Sequence, residues 1–258
     1  MSPVASPVVH TRPSPVFLGI VAAWLFGAWA CWTQPFDAKY AVFLFVFFGW
    51  IVSLCLHEYG HARTAFWAGD TSVTERGYLT LNPLKYVHPG LSLLMPLVFL
   101  VMGGIGLPGG AVWVNTGAIP ERWKRSAMSF AGPATNLVFG VVTALPFHYA
   151  RGTLDNHPAF AYGLAFLSVL QFLTGVFNLL PVPGLDGFGV IEPYIPRTTL
   201  DAIAPYRGYA PVVLFFLIFQ SPAFNNQVFG RAYRFASFFG VDRLYASFGF
   251  SLFQFWRH

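Results

Sequence analysis

Charge is what this chain has least of. Lys, Arg, Asp and Glu supply 10% of its 258 residues against 55% apolar ones, and the mean hydropathy is +0.56. Soluble domains carry about a quarter charged residues, so a conventional aqueous surface is excluded for most of this sequence. Acidic groups are rarest, with four Glu and six Asp, which makes each carboxylate informative. Cysteine is almost absent, and Cys31 and Cys55 both lie inside apolar runs, where packing rather than a disulfide framework is their role. The net charge of +5 arises from Lys and Arg scattered through loops, with no basic stripe, so no nucleic-acid partner is expected. Repeats, low-complexity blocks and long polar stretches are missing too, and the chain is expected to be a single membrane-embedded domain over 1–258.

What the sequence has instead is apolar runs approaching the ~20 residues that a helix needs to cross about 30 Å of hydrocarbon. They predict an all-α polytopic membrane protein of about five to six transmembrane helices in a lipid bilayer. A flexible, Pro- and Ser-rich N-terminus over 1–15 precedes a retained first helix at 16–32 and a link to 39. The core at 40–187 holds runs at 40–67, 127–148 and 159–180, expected to form a three-helix centre. Further helices are expected over 188–258, with a span at 205–220 and an aromatic tail that is interfacial or a poor last span. Between the core runs, Gly, Pro and the β-prone Ser72, Val73, Thr74, Tyr78, Leu79 and Thr80 predict a short β-hairpin within 69–90. The run 91–105 is short, broken by Pro96 and closed by Gly103 and Gly104, which predicts a re-entrant segment.

Charge distribution supports that layout. With the N-terminus inside and 91–105 only dipping into the membrane, Arg12, Arg63, Arg76, Lys85, Arg122, Lys124, Arg125, Arg197 and Arg207 lie inside. Only Lys39 and Arg151 lie in the outside links, which is the positive-inside pattern. If 91–105 crossed, the Arg122 to Arg125 cluster would move outside and the bias would fade.

One stretch carries recognisable chemistry. His57-Glu58-Tyr59-Gly60-His61 is HExxH, which on a helix sets two imidazoles on one face to grip one Zn2+, with the glutamate beside them as general base. At about 1.5 Å per residue the motif lies roughly 25 Å along its helix from Tyr40, near a boundary of the hydrocarbon that water can reach. A bland alternative makes these three polar residues hydrogen-bonding groups at a helix interface. Burial of ionisable groups after so apolar a run is expensive, however, and such groups usually mark function. Catalytic zinc takes three protein ligands plus water, so HExxH needs a third. Asp186 follows an apolar helix in a segment broken by Pro and Gly, where irregular backbone can line a cavity. In the re-entrant layout it shares a depth with His57 and His61; its alternative role is a turn or helix cap before Gly187.

Taken together, these residues resemble the site-2 protease family, which pairs HExxH with a later Asn-x-x-Pro-x-x-x-x-Asp-Gly segment. Here that segment is Asn178-Leu-Leu-Pro181-Val-Pro-Gly-Leu-Asp186-Gly187. Weaker similarity runs through Asn82-Pro83, His88-Pro89-Gly90, Gly109 to Asn115, and Phe130-Ala-Gly132-Pro133-Ala-Thr-Asn136, covering about 40–215. The resemblance implies Asp186 as third ligand, Asn178 as a catalytic support holding substrate backbone or the oxyanion, and transmembrane proteins as substrates. It implies a multi-pass cell-membrane protein with the active site toward the cytoplasmic side. The chain departs from the pattern at Gly184, where a proline often precedes Leu-Asp-Gly, and it shows no PDZ or CBS segment. Two other readings remain open: a prenyl-protein type peptidase, which needs a glutamate such as Glu75, Glu121 or Glu192 as third ligand, and a metal-retaining pseudoprotease that binds helices without cutting. For Gly132 and Asn136 the expectation is ordinary interhelical packing and hydrogen bonding.

Overall fold

A computed structural model describes residues 12–86 and 112–257. Among these, four helices are long and apolar enough to cross a membrane: α1 (Pro15–Thr33), α2 (Ala38–Ala68), α4 (Arg122–Tyr149) and α6 (Pro158–Asn178). Short helices α3 (Ser72–Glu75) and α5 (Arg151–Asp155) lie between them. After α6 come α7 (Asp186–Ile191), α8 (Arg197–Ile203), α9 (Ala210–Gln220), α10 (Pro222–Phe238) and α11 (Arg243–Phe253).

Local chemistry fixes the ends. The Ser14 hydroxyl caps α1 by accepting from the Phe17 N–H at 3.1 Å, and Pro15 follows where no N–H is needed. Asp37 caps α2 through the Lys39 N–H. Gly69, at φ 122°, closes α2 in a conformation that side chains disfavour.

Packing makes α6 the axis of the bundle. Of its membrane-length window 83% is buried, against 22% for α1, and α2, α4, α10 and α11 all pack on it. Phe45, Leu167 and Phe172 are fully buried in this centre, and Phe166 meets Phe250 and Phe253 of α11. The expected three-helix core of α2, α4 and α6 is present, and the C-terminal helices pack against it rather than standing apart.

Two expectations are corrected. Residues 69–86 form no hairpin: α3 and single 3-10 turns at Tyr78–Thr80 and Pro83–Lys85 replace it. Asp70 explains the start, since one carboxylate oxygen accepts from both the Ser72 N–H and hydroxyl, and Asn82 then accepts from the Leu84 N–H. Such local side-chain bonds offer the backbone turns in place of a ladder. The expected span at 205–220 is a 3-10 stretch, Ala204–Tyr209, followed by the eleven residues of α9. Pro222 holds Ser221 extended and ends that helix, which at 1.5 Å per residue covers only about 16 Å.

α2 ends where α4 begins, since the Trp67 and Trp123 rings lie 5.5 Å apart. That shared end is what the re-entrant layout requires; the segment 91–105 and His88 themselves lie outside the described residues.

Candidate metal centre

Three helices converge at that end of the bundle. The HExxH turn of α2 is a regular part of a 31-residue helix and aims His57 and His61 inward, toward the first third of α4. The chain leaving α6 turns through Pro181 to Leu185 and places Asp186 at the first position of α7. The Nε2 atoms of His57 and His61 are 3.1 Å apart, and each lies 3.2 Å from an Asp186 carboxylate oxygen. Among the described residues this is the group of three side chains suited to a metal ion.

The outer nitrogens settle which ring atoms face the cluster. His61 Nδ1 lies 2.8 Å from the carbonyl oxygen of Met128, which can only accept, so this nitrogen carries the hydrogen. His57 Nδ1 faces Asn136 Oδ1 in the same sense. Both Nε2 atoms of the neutral rings therefore present lone pairs, and they meet a carboxylate. Three acceptors so placed require positive charge between them, from protons or from a divalent ion. Tetrahedral zinc with bonds of about 2.0–2.1 Å sets its ligand atoms about 3.3 Å apart, and histidine ligands characteristically donate their other N–H to a carbonyl or carboxylate. The donor set, spacing and outer hydrogen bonds all fit Zn2+. Burial works against ionisation of Asp186; with no ion bound, protons on the facing Nε2 atoms of His57 and His61 outweigh it and hold the carboxyl below its ordinary range, and a divalent ion would supply that positive charge in their place.

Space for an ion depends on glycine. A Cβ on Gly132 would lie 2.6 Å from His57 Nε2 and closer still to His61 Nε2. A Cβ on Gly60, inside the motif, would come within 2.9 Å of the Ala131 carbonyl oxygen, so the α2–α4 crossing needs that position bare as well. Pro133, next in α4, lacks the N–H that would bond the Ser129 carbonyl.

Glu58 is 2% exposed and accepts from the Val112 N–H at 2.9 Å through one oxygen. The extended stretch carrying Val112 is tied down by Asp70, whose second oxygen accepts from the Asn115 N–H at 2.7 Å. Glu58, Asn178 and the three candidate ligands line a common cavity of about 350 Å³. The structure thus brings together all five residues expected from the sequence. It does not bring in the alternative glutamates: Glu121 pairs with Lys124, Glu192 pairs with Arg207, and Glu75 ends α3.

Gly132 and Asn136 were expected to serve ordinary interhelical packing and hydrogen bonding. Asn136 does bridge helices, but to a candidate ligand, and Gly132 leaves room for the ion rather than only for a neighbouring helix. Gln171 of α6, fully buried and bonded to Asn136 at 3.0 Å, gave one signal in the sequence: a long amide in the middle of an apolar run.

Comparison with known proteins agrees with this geometry. The chain is 44% identical over 250 residues, 95% of both chains, to "Putative zinc metalloprotease Rip2" of Mycolicibacterium smegmatis. It is 42% identical over 251 residues, again 95% of both, to the protein of the same name from Mycobacterium tuberculosis. Over 184 residues, 67% of this chain and 78% of the relative, it is 30% identical to "Putative zinc metalloprotease YwhC" of Bacillus subtilis. No family model and no solved structure matches it. A multi-pass membrane protein with this donor set and these relatives belongs to the zinc metalloprotease family that Rip2 and YwhC represent.

Proposed function

We propose that the protein is an intramembrane zinc metalloendopeptidase of the site-2 type. It cuts a peptide bond within or near the transmembrane segment of another membrane protein. The observation that carries this reading is the grouping of His57 and His61, in the C-terminal part of one long apolar helix, with Asp186, in the segment that follows another, and the Glu58 carboxylate in the same cavity.

Zinc, when bound by His57, His61 and Asp186, supplies Lewis acidity and lowers the pKa of water toward about 7. Glu58 takes a proton from the water as its oxygen attacks the scissile carbonyl carbon, then passes it to the amide nitrogen as the C–N bond breaks. One carboxylate oxygen is anchored by the Val112 N–H, leaving the other for that transfer. Asn178, on the cavity wall, has an amide suited to hold the carbonyl oxygen as it gains charge. A helical substrate hides its carbonyl in backbone hydrogen bonds and has to unwind locally before attack. The cytoplasmic placement of the site rests on Arg63, Arg76, Arg122, Lys124 and Arg125, which cluster near its end of the bundle.

The test is cleavage of a panel of single-span membrane proteins in liposomes, with the cut sites mapped by mass spectrometry. Wild type is expected to cut inside or beside the span, and Glu58→Gln to lower the rate about 10²–10⁴-fold. Cuts confined to loops far from the bilayer, or an undiminished Glu58→Gln, would overturn the reading.

A further inference from the structure

One fully buried polar side chain near the site has no place in the chemistry above. Gln171 lies in α6, two helical turns before its end, and is 0% exposed. Its Oε1 accepts from Asn136 Nδ2 at 3.0 Å, and Asn136 Oδ1 faces His57 Nδ1. A single file of hydrogen bonds therefore runs from α6 through α4 to the metal-facing histidine of α2. The remaining donor of the amide, Gln171 Nε2, has no hydrogen-bond partner. An orphaned buried N–H is costly, so this amide is held in an orientation that its own hydrogen bonding does not favour.

The direction of the file matters. An amide presents an acceptor on one side and donors on the other, so each member fixes the next. With Gln171 Oε1 toward Asn136, the Asn136 NH2 is engaged and its oxygen is left for His57. His57 must then carry its hydrogen on Nδ1 and present a lone pair at Nε2. Were Asn136 to turn over, its NH2 would face Nδ1, the hydrogen would move to Nε2, and the ring could not bind a metal. His61 needs no such device, because the Met128 carbonyl is an acceptor in any state.

We propose that Gln171 is a positioning residue for the metal: through Asn136 it locks His57 in the tautomer that binds the ion. The inference rests on the assignment of His57, His61 and Asp186 as ligands. It predicts that an acceptor is the only thing required at position 171. Gln171→Glu keeps a carboxyl oxygen toward Asn136 in either protonation state and preserves metal binding. Gln171→Met fills a similar volume with only a weak thioether acceptor, leaves Asn136 free to turn, and weakens binding.

The experiment is competition of the purified full-length protein in detergent with a zinc chelator of known affinity. Wild type, Gln171→Met, Gln171→Glu and His57→Ala are compared, and metal-free thermal stability is read in parallel. Loss of a group that orients a metal ligand typically costs about 10–100-fold in metal affinity, and a loss in that range is expected for Gln171→Met, with Gln171→Glu matching wild type. A Gln171→Met protein that loses thermal stability but holds zinc as tightly as wild type overturns the proposal, as does equal weakening in Gln171→Glu. Failure of the underlying site is distinguishable, because His57→Ala would then bind zinc as wild type does, or wild type would not bind it.

Discussion

Helices α1 and α6 are nearly the same length, 19 and 21 residues, and nearly the same hydropathy, 1.8 and 1.7, yet their surroundings are opposite. α1 lies at the edge of the bundle with Leu18, Leu25, Phe26 and Trp29 outward, whereas α6 is buried on nearly all sides. Hydropathy therefore marks that a helix crosses and says little about where it sits. The difference lies in sparse polar residues. α6 carries Ser168, Gln171 and Thr174 at a spacing of three, all buried, whereas α1 has no Ser, Thr, Asn or Gln before its last residue, Thr33. Where the surrounding solvent is apolar, a polar side chain is retained for a partner inside the protein, and Ser168 finds the Gly140 carbonyl and Gln171 finds Asn136.

Matched substitutions sharpen that contrast. The largest difference is expected between two glycines. Gly19→Ala on α1 meets nothing within 4 Å and should leave zinc content unchanged, whereas Gly132→Ala puts a methyl group into the space between the imidazoles. Elemental analysis of the purified Gly132→Ala protein should find its zinc lost; full occupancy would show that the ion sits elsewhere. A smaller difference is expected from one residue type on two helices. Leu167→Ala, at 0% exposure in the centre, should cost about 2–5 kcal/mol by cavity formation. Leu25→Ala, at 58% exposure on α1, should stay within about 0.5 kcal/mol. Reversible unfolding in mixed micelles measures both, and equal losses would mean that the outward face of α1 carrying Leu25 is covered.

The four long helices were readable because continuous apolar runs leave few alternatives in a bilayer, and their observed ends fall within about five residues of the expected ones. HExxH and Asp186 were readable because a metal dictates residue type and spacing, and the shared depth of α2 and α6 ends followed from counting crossings. The turns at 69–86 were not readable as such, because β-branched residues suit a strand equally well until Asp70 takes its local partners. The 205–220 run is not one span because Pro205 and Pro211 start separate helical segments within it and Pro222 starts the next. The roles of Gly132, Asn136 and Gln171 exist only across helices, and no periodicity in one segment records which imidazole another segment will face.

The most direct test of the account is the zinc stoichiometry of Asp186→Ala measured beside wild type, after purification without chelator. The account predicts one zinc per wild-type chain and essentially none in the variant, with helical content unchanged. A variant that retains one zinc would remove Asp186 from the ligand set and with it the convergence of α2, α4 and α7 on a single ion.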